Sequence, residues 1–229
     1  MPSEELCQRL AQVARSIHTC EKRHNREVGS VALIAVSKKK SVTEIRDAVH
    51  CGQQKFGESY AQEFHDKALQ LTDLPIEWHF IGPVQSNKTR LIAQHAHWVH
   101  SIDRIKIASR LASQRPKSLP PLNICLQVNI DSEAGKSGVD VNEVPELAQQ
   151  VQQIEGLQLR GLMCIPRRTS KEELQRDTFA RLRRALEHLN NNGFALDTLS
   201  MGMSGDYPAA IAEGATMIRV GTAIFGPRT

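Results

Sequence analysis

Two rhythms of apolar and polar positions alternate along this chain. Val31-Ala32-Leu33-Ile34-Ala35-Val36 is an unbroken apolar run with β-branched members, and it predicts a parallel strand buried on both faces. It leads straight into Ser37 and Lys38. Upstream, Leu6, Leu10, Val13, Ala14 and Ile17 recur at helical spacing from Ser3 to about His18, with Ser3 placed to cap and Glu4 and Glu5 in the first turn. Downstream, Ser41-Val42-Thr43-Glu44 sets a hydroxyl three residues before a carboxylate. Ile45, Ala48 and Val49 then share one face and Gly52 closes the segment, which predicts a capped helix. Strand, polar end and capped helix make half of a βαβ unit.

The same phrase recurs. Strands are predicted over residues 55–57, 77–81, 98–100, 122–129, 157–163, 198–201 and 216–220, with helices over 61–71, 85–94, 104–113, 144–154, 171–190 and 208–213. Residues 116–121 read as a stiff loop and 131–140 as a polar, glycine-containing one. Eight strand signals alternating with helices predict a single α/β domain over residues 1–229, a (β/α)8 TIM barrel with an extra N-terminal helix. An open doubly wound sheet is the alternative. Its ligand would sit at one switch point, whereas here polar motifs follow nearly every strand.

In a barrel the strand C-termini gather the chemistry. Alternation along the first strand puts Lys38 on the face of Ala32, Ile34 and Val36 and turns Lys39 the other way. One lysine is thereby singled out from three. Only a neutral amine attacks an aldehyde to form a Schiff base, and at the ordinary pKa of about 10.4 roughly one amine in a few thousand is neutral at pH 7. A partly apolar collar would raise that share. The plainer alternative is that Lys38, Lys39 and Lys40 form a solvated basic turn. At the far end of the chain, Gly202-Met203-Ser204-Gly205 and Gly221-Thr222 follow the seventh and eighth strands, where barrels commonly seat a phosphate. Glycine admits the phosphate to the backbone, and Ser204 and Thr222 offer hydroxyl donors. Arg219 is a charge inside a strand, either paired with a structural carboxylate or facing the barrel mouth to meet a ligand.

Composition narrows the classes. The 229 residues are 40% apolar and 24% charged, with a net charge of +4 and 4% aromatics, and the basic residues are not clustered as a nucleic-acid footprint requires. No apolar run approaches the ~18 residues of a membrane span, and Met1-Pro2-Ser3-Glu4-Glu5 lacks the order of a signal peptide, so a cytoplasmic protein is expected. Five cysteines, an odd number without C-x-x-C spacing, predict reduced thiols, with Cys51, Cys125 and Cys164 as small core residues. Gly135-Lys136-Ser137 resembles the end of a P-loop, but Ile130 stands where the first glycine belongs. His95, His97 and His100 read as a partly exposed cluster rather than a metal site, and the basic run 181–184 as a solvated helix face.

Eight ordered motifs carry a resemblance over nearly the whole length: Ala35-Val36-Ser37-Lys38, Phe56-Gly57-Glu58, His79-Phe80-Ile81-Gly82, Gln85-Ser86-Asn87-Lys88, Lys136-Ser137-Gly138, Gly161-Leu162-Met163, Gly202-Met203-Ser204 and Arg219-Val220-Gly221-Thr222-Ala223-Ile224-Phe225-Gly226. In them the chain resembles the pyridoxal phosphate homeostasis proteins, known as YggS or PROSC, which share the N-terminal barrel of alanine racemase. The resemblance implies a fold-type III barrel without the second β-domain, and pyridoxal 5'-phosphate (PLP) as cofactor. It implies Lys38 as the Schiff-base lysine, Ser204, Gly221 and Thr222 around the phosphate with the Met203 backbone nearby, and Arg219 against the pyridine ring. Lys136 would be a secondary amine near the cofactor or a phosphate contact. Ser59 stands where the family usually has asparagine, which puts a ring-side contact there in doubt. Racemases of this fold add a second domain and a tyrosine on the face opposite the lysine; here the last motif ends three residues before Thr229, and Tyr60 and Tyr207 are the only tyrosines. A monomer that binds, buffers and delivers PLP to apo-enzymes is therefore expected. A weak racemase-like enzyme and a cofactor-free Schiff-base aldolase are the alternatives.

Overall fold

The apolar run after Val31 forms β1 (Ala32–Val36), and it pairs in parallel on both sides. A computed structural model describes residues 3–226; Met1 and Pro2, part of the reading of the chain's start, and residues 227–229 lie outside it. The other strands are β2 (Lys55–Glu58), β3 (Glu77–Phe80), β4 (Trp98–Ile102), β5 (Leu122–Val128), β6 (Leu157–Cys164), β7 (Thr198–Met203) and β8 (Met217–Val220). They close in sequence order into a parallel barrel, β8 returning to β1. Helices α1 (Glu4–Arg23), α2 (Val42–His50), α3 (Ala61–Gln70), α4 (Thr89–Ala93), α5 (Ile105–Gln114), α6 (Val144–Gln152), α7 (Glu172–Asn191) and α8 (Tyr207–Ala212) surround it. A last turn, α9 (Thr222–Phe225), follows β8. Its four residues are too few to show a helical period in sequence.

The main core lies between barrel and helices, where Ile45, Phe64, Phe80, Ile107, Leu111 and Phe179 are wholly buried. Each such side chain contributes roughly 1.5–3 kcal/mol by leaving water. Inside the barrel a smaller apolar group, Ile34, Trp98, Cys125, Met163 and Met217, packs by itself. The remaining interior includes polar side chains, among them His79, His100, Ser200 and Arg219, all buried.

Local chemistry explains the helix ends. Ser41 Oγ accepts from Glu44 N at 3.2 Å while Glu44 Oε2 accepts from Ser41 N at 2.8 Å, so the predicted capping box forms. Ser3 makes no side-chain cap. α1 runs past His18 because its buried stripe, Leu6, Leu10, Val13 and Ile17, continues to Glu21. That carboxylate is satisfied by Val31 N at 2.8 Å and Gly29 N at 3.0 Å, and it ties the helix end to the entry of β1.

The cysteine expectation is corrected in part. Cys7 and Cys51 form a disulfide with 5.2 Å between Cα atoms, linking α1 to the residue after α2. A separation of 44 residues carries no spacing signal, and the pairing arises because the fold brings the start of α1 to the end of α2. Cys125 and Cys164 are buried as predicted, and burial pushes both thiols up to about 12, which leaves them inert as nucleophiles.

Candidate functional site

The three consecutive lysines are sorted by one tight turn. β1 ends at Val36, Lys40 N bonds back to Ser37 O at 3.0 Å, and Lys39 adopts a left-handed φ of 60°. Lys38 therefore keeps the inward face and lines a cavity of about 940 Å³ at the strand C-termini, together with Val36 and Ile81. Lys39 is exposed, and Lys40 reaches Phe225 O at 3.1 Å and Glu44 at 3.3 Å. A buried ionic group braces this turn from behind. Lys67 Nζ donates to Glu58 Oε1 at 2.7 Å, Glu63 Oε1 at 2.6 Å and Ser37 O at 2.8 Å, and Ser37 Oγ donates to Glu58 Oε1 at 2.7 Å. Burial pushes the Glu58 carboxyl up against the pull of Lys67. Of the three lysines, Lys39 is exposed, whereas Lys38 and Lys40 are half-buried.

Opposite, the loops after β7 and β8 line the same cavity through Met203, Ser204, Gly205, Gly221 and Thr222. Gly202 at the end of β7 has a φ of +96°, and a Cβ there would stand 2.7 Å from Ala210 Cβ. Only glycine turns the chain so tightly into α8. A Cβ on Gly221 would lie 3.2 Å from Val36 O, so the eighth loop approaches the end of β1 closely. The Met203 amide is not free to meet a ligand here, because it donates to Asp206 Oδ1 at 2.6 Å.

Arg219 completes the site. It pairs in register with Ile34, whose side chain faces the barrel interior, and it lines the cavity while only 4% exposed. Its guanidinium donates to Ser200 Oγ at 2.7 Å and to Cys164 O at 2.8 Å, and it makes no ion pair among the described residues. Of the two readings in sequence, the structural carboxylate is absent among those residues and the barrel mouth is present. The lining also includes Arg23, Arg168, Glu172 and Gln175, which sequence reasoning missed. Arg23 ends α1 and the others follow β6, in segments whose polarity alone reads as surface. Counting side chains, Arg23, Lys38, Arg168 and Arg219 face Glu172 and Asp206, an excess of positive charge suited to an anion.

Other expectations are revised. Lys136 does not line the cavity; its ammonium pairs with Glu133 at 2.6 Å. Ser59 does line it. The three histidines do not cluster: His95 meets His65 at 3.0 Å, the exposed His97 accepts from Trp78 N at 3.0 Å, and His100 is wholly buried inside the barrel. Strand alternation separates them, since His100 shares the face of Trp98 within β4. Arg181 is tied down by Ile130 O at 2.6 Å and Asp131 at 2.8 Å, so the 181–184 run helps fasten α7 to the end of β5 rather than merely facing solvent.

A closed parallel eight-stranded barrel with this amine and loop arrangement at its C-terminal face has the fold of the alanine racemase N-terminal domain, and that family matches residues 9–229. The alanine racemase of Corynebacterium glutamicum shares the fold at a TM-score of 0.68 and 17% identity, over 95% of this chain and 62% of that one. Nearer relatives match end to end. A pyridoxal phosphate homeostasis protein of Pseudomonas aeruginosa is 52% identical over 97% of this chain and 96% of its own, and that of Escherichia coli K12 is 46% identical over 98% and 97%. The structure of PipY from Synechococcus elongatus with PLP bound superposes with a TM-score of 0.83 at 36% identity, over 96% of this chain and all of that one. The chain belongs to the pyridoxal phosphate homeostasis protein family.

Proposed function

We propose that this protein binds pyridoxal 5'-phosphate as a Schiff base on Lys38, buffers it, and releases it to PLP-dependent apo-enzymes. The carrying observation is that one cavity joins an inward-facing amine, two glycine-containing loops with hydroxyl donors and a buried cation lacking a carboxylate partner among the described residues. Those residues fit an aldehyde bearing an anionic tail. Ser204, Gly221 and Thr222 hold the phosphate, with Met203 beside them once its amide is surrendered by Asp206, and Arg219 lies against the pyridine nitrogen. When bound, the cofactor supplies an aldehyde carbon and an electron-withdrawing ring. Arg219 keeps its own proton and so leaves the ring nitrogen unprotonated, which weakens that withdrawal and suits storage over turnover. The same proposal takes the protein to be monomeric and cytoplasmic, without nucleic-acid or membrane partners; among the described residues no helix is long and apolar enough to cross a membrane.

Titration with PLP tests it. The wild type develops a yellow band, and borohydride fixes the cofactor on the Lys38 peptide. Lys38→Ala loses the band and keeps a weaker complex anchored through the phosphate; equal loss of phosphate affinity contradicts the cradle. Incubation of loaded protein with an apo-enzyme restores its activity faster than release into solution allows. Amino-acid turnover at ordinary enzyme rates of about 1–10³ s⁻¹ defeats the carrier.

A further inference from the structure

A line of polar side chains crosses the barrel interior, where packed aliphatic layers are the rule. Arg219 Nη1 lies 2.7 Å from Ser200 Oγ, Ser200 Oγ 2.8 Å from His100 Nδ1, and His100 Nε2 2.9 Å from His79 Nδ1. His79 Nε2 then stands 3.1 Å from Glu77 Oε1, within ion-pair reach though bent away from good hydrogen-bond alignment. Glu77 opens β3, at the end of the barrel away from the cavity, so the line joins the cofactor side of the barrel to its opposite rim.

The chemistry of the ends fixes every hydrogen between them. An arginine only donates, so Ser200 Oγ accepts from it. Ser200 is wholly buried and has no third side-chain partner among the described residues, so its hydrogen goes to His100 Nδ1. His100 must then carry its hydrogen on Nε2 and give it to His79 Nδ1, which leaves the His79 hydrogen on Nε2, facing the carboxylate. Both rings are neutral in this pattern. Their burial acts the same way, holding both imidazoles below the usual histidine range, with His79 and Arg219 adding to the effect on His100. Charged or titratable groups also reach the ends: Lys55 and His97 near His79, and Asp206, Cys125 and Cys164 near Arg219.

We infer that the chain Ser200–His100–His79 is a positioning device for Arg219, turning acceptor atoms toward the guanidinium while keeping carboxylates out of contact with it. This rests on the proposal that Arg219 lies against the PLP ring. A directly paired carboxylate would hold the guanidinium equally well but would cancel the charge an anionic cofactor meets. The relayed arrangement fixes the orientation and leaves the cation unneutralised in the cavity.

Two measurements test it. In ¹⁵N-histidine NMR of the full chain without added cofactor, His79 and His100 both report hydrogen on Nε2; hydrogen on Nδ1, or a cationic ring, at either residue overturns the chain. In protein loaded with PLP labelled at the ring nitrogen, Ser200→Ala still binds through Lys38 but moves the ring-nitrogen resonance and weakens cofactor affinity about ten-fold, as loss of a bond to a charged donor implies. Ser200→Thr restores both. An unchanged resonance and affinity in a folded Ser200→Ala overturns the inference while leaving the binding reading intact. A wild type that takes up no PLP defeats that reading instead, and the positioning role with it.

Discussion

Lys67 is the residue on which the Lys38 turn leans. It is 7% exposed in its side chain and holds Glu58, Glu63 and the Ser37 carbonyl together. Lys67→Met leaves a buried carboxylate without its cation, and a destabilisation of about 3–5 kcal/mol is expected in urea unfolding, with weakened PLP uptake; an unchanged midpoint would contradict the brace. Glu77 makes a pH prediction. The His79 ring and then the Lys55 ammonium hold its carboxyl down at about 2, below the ordinary 4.5. Its contribution is therefore full above pH 4.5 and is lost as the pH falls toward 2. The stability difference between wild type and Glu77→Gln should close across that window, and a difference constant with pH would refute the assignment. The placing of Lys38 at the cavity was legible in sequence because a buried strand's alternation singles out one of three lysines. The inward role of His100 was not, because nearness in sequence to His95 and His97 suggested a cluster, although Trp98 two residues earlier already marked its face.

At the scale of elements, α1 fastens the end of the barrel that carries the cavity. It packs on α8 and α9, Arg9 Nε donates to Ile224 O at 2.7 Å, and Tyr207 OH donates to Ser16 Oγ at 2.7 Å. The two short helices after the β7 and β8 loops are thus held from outside, which explains a helix ahead of the barrel that the strand count does not demand. The Cys7–Cys51 bond anchors the start of α1, and closing a loop of 44 residues constrains the unfolded chain by about 4 kcal/mol at most. Reduction should lower Tm by roughly 10 °C and leave PLP affinity little changed, as calorimetry with and without dithiothreitol would check. Gly202→Ala forces a Cβ against Ala210 at a φ of +96° and should cost about 1–3 kcal/mol, with weaker PLP binding than an alanine at the roomier Gly205. Strands and long helices were readable from period alone. The ends were not: α1 outran its prediction because a buried glutamate reads as a surface residue, and α9 was too short for a period.

For the whole molecule, a barrel closed by parallel strands gathers residues from both ends of the chain at one face, so that β1 and β8 set Ile34 beside Arg219 although 185 positions separate them. Strand count and polar strand ends made that juxtaposition foreseeable. The polar line through the interior was hidden, because it depends on register among β3, β4, β7 and β8, which pattern alone does not specify. The most direct test is a crystal structure of the protein grown with pyridoxal 5'-phosphate. Continuous density from Lys38 Nζ to the cofactor is predicted, with the phosphate between the Ser204 and Gly221-Thr222 loops and the ring nitrogen facing Arg219. A cofactor attached elsewhere, or one whose phosphate points away from those loops, would contradict the account.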